Sequence, residues 1–265
     1  MTHILSLWKY NLLITTFAAL AATSTAVRAD SPARQNIPDI QGIRPGMSVS
    51  ELKAKLSDLS LKLHTEGHYF NIRTGITDKG ITLYIHAEDK ARFNIYEIRF
   101  SQPLSSNILT SVVRTVKYDE RSGESAPLSA VLREALVKKF GAYTADVLKE
   151  NKHQQLIWIW DRNGKLLDKV PGPMCEKLHW DYIRSKYGTK SRQELLKSID
   201  SGCGVWMQAI LVVRPSGVVE SMIHMIVDFV GIDHADRQVE QVENAARAKQ
   251  SEAEVKRARQ QKPSI

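Results

Sequence analysis

The sequence predicts an α+β protein built of two tandem helix-plus-antiparallel-sheet units with a C-terminal helical tail. Three observations predict it. A helix with complete capping chemistry begins at Ser48. The apolar period then changes from 3.6 residues to 2. The same order of helix and alternating segments returns after Pro127.

The first 29 residues read as an address rather than as part of the fold. Met1–Tyr10 carries Lys9 and no acid, Leu12–Ala22 is apolar, and small residues lead to Val27-Arg28-Ala29. Small side chains at the −3 and −1 positions fit a signal peptidase, and the apolar run is too short to cross a bilayer. Residues 1–29 are therefore expected to be a cleaved signal peptide, with cleavage after Ala26 as the alternative. The expected location is periplasmic or secreted, with no membrane-spanning segment after cleavage. Residues 30–39 carry two prolines and read as a disordered leader.

Unit 1 is expected over 40–119. Pro45 and Gly46 suit the centre of a type II turn, where glycine supplies the positive φ. Ser48 and Glu51 then form a capping box, Met47 and Leu52 a hydrophobic staple, and Val49, Leu52, Leu56 and Leu59 recur at helical spacing. Period-two segments follow around Phe70–Ile72, Ile81–Ile85 and Tyr96–Phe100, and a fourth is marked by Val112, Val116 and Tyr118. One helix and four short strands predict a meander with one face roofed.

Unit 2 is expected over 120–232. Pro127 opens a helix with an apolar stripe from Leu128 to Phe140, and Gly141 ends it. Strands are expected at Leu156–Trp160, Val205–Val213 and Val218–Phe229. An insertion at 161–202 separates the first two and carries a short helix with Ser191 and Glu194 as a second capping box. Trp158 and Trp160 alternate with Ile157 and Ile159, so both faces of that strand need cover. The helix on one side and the insertion on the other would supply it. Residues 233–265 read as a polar, solvated helical tail.

Composition bounds the function. The net charge is +8, with Lys9 and Arg28 of the signal contributing two of those charges. A basic exported protein meets anionic envelope surfaces and acidic partners. No Lys/Arg block with interleaved aromatics occurs, which argues against nucleic acid. The two cysteines, Cys175 and Cys203, predict one disulfide in an oxidising compartment.

Motifs for chemistry are sparse. His64-Thr65-Glu66-Gly67-His68 has the wrong order for H-E-x-x-H and reads as a solvated loop, so no metal is expected. No nucleophile elbow, P-loop or dinucleotide fingerprint lies between a strand and a helix, and no cofactor is expected. If Ile81, Leu83, Ile85, Tyr96, Ile98 and Phe100 face the helix, the opposite face presents Tyr69, Arg73, Tyr84, His86, Glu97 and Arg99. Aromatics mixed with arginine suit a partner-binding surface. Tyr69, Arg73, Tyr84, His86 and Arg99 are the candidate partner-binding residues.

The run from Ile40 to Leu52 (Ile40-Gln41-Gly42-Ile43-Arg44-Pro45-Gly46-Met47-Ser48-Val49-Ser50-Glu51-Leu52) resembles the opening of small bacterial envelope domains of the SmpA/OmlA type. Two such units in tandem resemble the beta-lactamase inhibitory proteins, which grip a partner with a concave sheet. The resemblance implies a fold and a style of binding. The chain departs from it in lacking the lipid-anchoring cysteine and in carrying the large insertion. The expected function is thus an exported binding module acting on an envelope protein or other envelope component, rather than an enzyme. The alternative is a periplasmic hydrolase with a site between the units, near His86 or His224.

Overall fold

The computed structural model describes residues 37–70, 80–91, 93–101, 107–118, 125–148, 153–173, 175 and 192–260. The elements in chain order are α1 (Val49–Asp58), β1 (Lys62–Phe70), β2 (Gly80–Glu88), β3 (Asn94–Phe100), β4 (Leu109–Lys117), α2 (Ser129–Phe140), β5 (Ala145–Leu148), β6 (His153–Trp160), α3 (Arg192–Asp200), β7 (Val205–Val213), β8 (Val219–Asp228) and α4 (Phe229–Gln260). All eight strands join one antiparallel sheet in the order β1-β2-β3-β4-β8-β7-β6-β5. The last strands of the two halves meet at its centre, where Ser111–Lys117 of β4 run against Ser221–Val227 of β8.

The first helix forms as its sequence dictates. The Glu51 amide donates to Ser48 Oγ at 3.3 Å and the Ser48 amide to Glu51 Oε2 at 2.7 Å, so two helix-start donors are satisfied reciprocally. Gly46 has φ +89°, and its amide donates to the Leu109 carbonyl, tying the turn to β4. Leu52 and Leu56 point from α1 into the sheet. They meet Ile85, Ile98, Phe100 and Val112 in a core that runs on without a break to Leu136, Trp158, Met207 and Ile226.

The second half follows the same logic with more cover. Trp158 and Trp160 lie in the core under α2, and the Trp158 ring meets Phe140 edge-on at 5.8 Å. Trp158 Nε1 donates to the carbonyl of Gly141 at 2.9 Å, locking the helix end to β6. Ile157 and Ile159 point the other way, into a second core with Trp206, Val227, Leu195, Ile199, Phe229 and both cysteines. The expectation that this strand is covered on both faces is met, and the insertion supplies part of the second cover.

The structure departs from the sequence reading in four places. The second half has a strand the sequence reading missed, β5, a short edge whose residues are mostly exposed. The His64–His68 segment lies inside β1 rather than in a loop. The helix after β4 begins at Ser129, two residues beyond Pro127, with Leu128 as an N-cap that makes no side-chain hydrogen bond. The tail helix starts at Phe229 rather than near Asp233, because Asp228 Oδ1 accepts the Gly231 amide at 2.8 Å and caps it. Its opening turns are buried at Phe229, Gly231, Asp233, Ala235 and Val239, so that stretch belongs to the core and not to a solvated tail.

Candidate functional site

Register divides the residues of this sheet into two faces, and each face can be followed strand by strand. On the face away from α1 and α2, one row runs His64, His86, Glu97, Val113, Met225, Gln208, Ile157 and Ala145. The next runs Glu66, Tyr84, Arg99, Ser111, Val227, Trp206 and Ile159. The character changes at the β4–β8 seam along the first row, and one strand later along the second, where Ser111 of β4 is still buried. Met225, Gln208, Val227 and Trp206 are buried, whereas Glu97 is exposed and His86, Arg99 and Val113 are only partly covered. Helix α4 contacts β4 and β7 and packs on α3, so its cover lies over the second half and reaches β4. This face is closed over β6–β8 and open towards β2 and β3.

His86 and Glu97 are direct cross-strand neighbours, as are Tyr84 and Arg99. His64 stands opposite His86, with ring centroids 6.2 Å apart, and both imidazoles approach Glu88. Their Nε2 atoms lie 3.9 Å and 3.4 Å from its carboxylate oxygens. Side-chain exposure falls from 46% at His64 through 29% at His86 to 13% at Glu88, so the cluster sits at the surface. Among the described residues no group of three His, Cys, Asp or Glu side chains is placed to hold a metal ion. Tyr69 pairs with Ile81, in the alternating set of Ile85 and Ala87 and not in that of Tyr84, His86 and Arg99, so the register separates it from the expected face. Arg73 lies outside the described residues. Thus the structure brings Tyr84, His86 and Arg99 into adjoining rows.

The sequence-predicted disulfide is present: Cys175 and Cys203 are bonded, with their Cα atoms 5.7 Å apart and both residues fully buried. It fastens the insertion beneath the second core, beside Ile159 and Trp206.

The helix-covered face holds a second polar group, which sequence reasoning did not assemble. One row runs Ala87, Tyr96, Arg114, His224, Ala209 and Leu156, placing three polar residues of β3, β4 and β8 side by side at the seam. Arg114 donates to Asn94 Oδ1 through Nε and Nη2, at 3.2 and 2.6 Å. Lys139, at the end of α2, reaches across to Asp39 Oδ1 at 3.0 Å. Burial alone would raise the Asp39 pKa, but the Gly42 amide and Lys139 outweigh it and hold the carboxyl below its usual range. His224 is buried against the edge of Phe140, and its pKa is pushed down to about 3. Loss of hydration is the main cause, with the Lys139 and Arg114 cations adding to it. The signal for this group was only the alternation of β4 and β8, and it needs the β4–β8 pairing to be read.

No family model, curated protein or solved structure matches this chain. None of the described helices is long and apolar enough to cross a membrane.

Proposed function

We propose that the protein is an exported binding module of two tandem helix-and-sheet units that engages an envelope protein or other envelope component. The surface used is the open part of the far sheet face, with Tyr84, His86 and Arg99 as contact residues. The observation that carries this reading is the change of character along the two rows. A single sheet face is roofed over one half and left open over the other, where histidine, arginine and carboxylate side chains stand between partly covered Ile95 and Val113. A broad polar face with apolar residues between its charges is the anatomy of a protein-binding patch. The disulfide supports export, because such bonds persist in oxidising compartments. The resemblance of Ile40–Leu52 to SmpA/OmlA-type domains, and of the doubled arrangement to the beta-lactamase inhibitory proteins, agrees with a sheet-borne binding surface.

A hydrolase near His86 or His224 is the other reading. It calls for a concave site with converging ionisable groups. His86 stands on the open face and His224 beneath the helices, so the geometry favours binding.

The test is affinity capture from intact envelope with chemical crosslinking and mass spectrometry. We expect the wild type to crosslink a partner through β2 and β3, and His86→Ala/Arg99→Glu to lose at least tenfold of that signal. Val131→Glu, on the exposed outer side of α2, should keep it. Capture that survives the first variant and fails with the second contradicts the assignment.

A further inference from the structure

The covered face contains a fork that already holds a planar amide. Nε and Nη2 of Arg114 are anchored on Asn94, which fixes the guanidinium plane. The Gln41 side chain lies against its outer edge. A guanidinium only donates, so the amide oxygen must face it. In that orientation the oxygen accepts from Nη1 at 3.2 Å and Nη2 at 3.0 Å, while the amide nitrogen donates to the Tyr96 hydroxyl. A neutral carboxamide therefore occupies the place where a carboxylate would accept two charge-assisted bonds from an arginine fork.

Three further observations bear on this place. Gln41 is exposed, and its φ of +54°, with +80° at Gly42, belongs to the tight turn closed by the Ile40–Ile43 backbone pair, so the base of the side chain is fixed while its end is free to turn. The charges that act on His224 in this row are the Arg114 and Lys139 cations and the Asp39 carboxylate, which is paired with Lys139. His224, next to Arg114 in the row, is 4% exposed, and its Nε2 has no hydrogen-bond partner. A buried polar atom without a partner is a cost that a native fold seldom carries unless the site has a use.

We propose that Arg114 and Tyr96 form a binding site for a carboxylate group, with the Gln41 side chain as its gate. Opening the gate needs only rotation of an exposed side chain. Ile40 and Ile43, which flank it in sequence, stay in the core, and the Asp39–Lys139 pair is not disturbed. The incoming group takes over Nη1 and Nη2 of Arg114 and accepts the Tyr96 hydroxyl proton. It also supplies the negative charge that the amide lacks. His224 is the reporter of occupancy, since a negative charge in its row stabilises the imidazolium and moves its titration upward. The site lies on the opposite side of the sheet from the proposed partner surface, so it stands or falls separately.

The experiment is an NMR titration of the His224 ring in the mature protein, with sodium acetate against sodium chloride at equal ionic strength. A short peptide is run alongside, with a free or an amidated C-terminus. Acetate is expected to shift the resonance saturably where chloride does not, and Gln41→Ala to tighten binding about tenfold by removing the occupant. Gln41→Glu places a tethered carboxylate on the fork. It should raise the His224 titration above that of the wild type and weaken acetate binding more than tenfold. Tighter binding of the free peptide than of acetate or the amidated peptide assigns the carboxylate to a chain terminus, and equal binding of acetate assigns it to a small molecule. The proposal is overturned if Gln41→Ala shows no carboxylate-specific shift, or if Gln41→Glu leaves the His224 titration unchanged.

Discussion

Two single residues report most directly on how tightly the centre of this molecule is built. Gly204 follows the disulfide half-cystine Cys203. A Cβ there would stand 2.3 Å from the carbonyl oxygen of Asp161, a backbone atom with no freedom to retreat. Gly204→Ala should therefore cost more than about 3 kcal/mol, because backbone must move for one methyl group. A thermal melt within a degree or two of the wild type would contradict that contact. His224 makes a prediction in pH. Its folded pKa of about 3 lies below the unfolded value near 6.5, so the unfolded chain binds more protons between those limits. Its contribution is fully present above about pH 6.5 and is lost progressively as pH falls towards 3, by on the order of several kcal/mol. His224→Gln should flatten the acid limb of stability in urea melts over that range. An unchanged pH profile would show that another group governs it. At this scale the sequence is legible where the signal is local. The cysteine pair and the opposed tryptophans and isoleucines of β6 are such cases. Arg114, His224 and Gln41 belong to segments far apart in the chain and meet only through strand pairing.

At the scale of elements, legibility followed the completeness of the local chemistry. The start of α1 carries a turn, a cap and a staple within eight residues, and it folds as they dictate. Ser48→Ala should cost about 1 kcal/mol in denaturant midpoint measurements. The start of α4 was misplaced because Phe229-Val230-Gly231-Ile232 continues the apolar run of β8. Its one marker, Asp228, is a buried cap contributed by the last residue of a strand. Edge strand β5 was missed because four mostly exposed residues show no period. The far end of α4 is exposed from Gln241 to Gln260 apart from Glu243 and Ala246. Removing residues after Gln241 should leave the melting temperature nearly unchanged, whereas a stop at Phe229 should abolish folding. Equal effects of the two truncations would contradict the placement of Ala235 and Val239 in the core. The disulfide closes a separation of 28 residues, and replacing both cysteines by alanine should cost about 2–4 kcal/mol, read from unfolding curves with and without reductant.

The whole molecule is governed by one sheet whose two faces have different fates. One core runs beneath α1 and α2 across both halves, from Ile85 through Val112 and Ile226 to Trp158. The other face is apolar and covered from β6 to β8, and passes across β4 to a polar, partly open surface on β2 and β3. The sequence made both patterns legible within each half. The joining of the halves through β4 and β8 was not legible, since no local signal states which strand edges meet. A shared core and a continuous ladder predict that amides of β3 and β7 exchange with solvent in one cooperative event. The graded face is the claim on which the binding assignment rests. The most direct measurement is covalent footprinting of the purified protein in solution, read residue by residue by mass spectrometry. The account predicts ready labelling of His64, His86 and Glu97 with protection of Met225, Trp206 and His224. Protection of His86 equal to that of Met225, or labelling of Trp206 and Met225 as fast as His86, would contradict it.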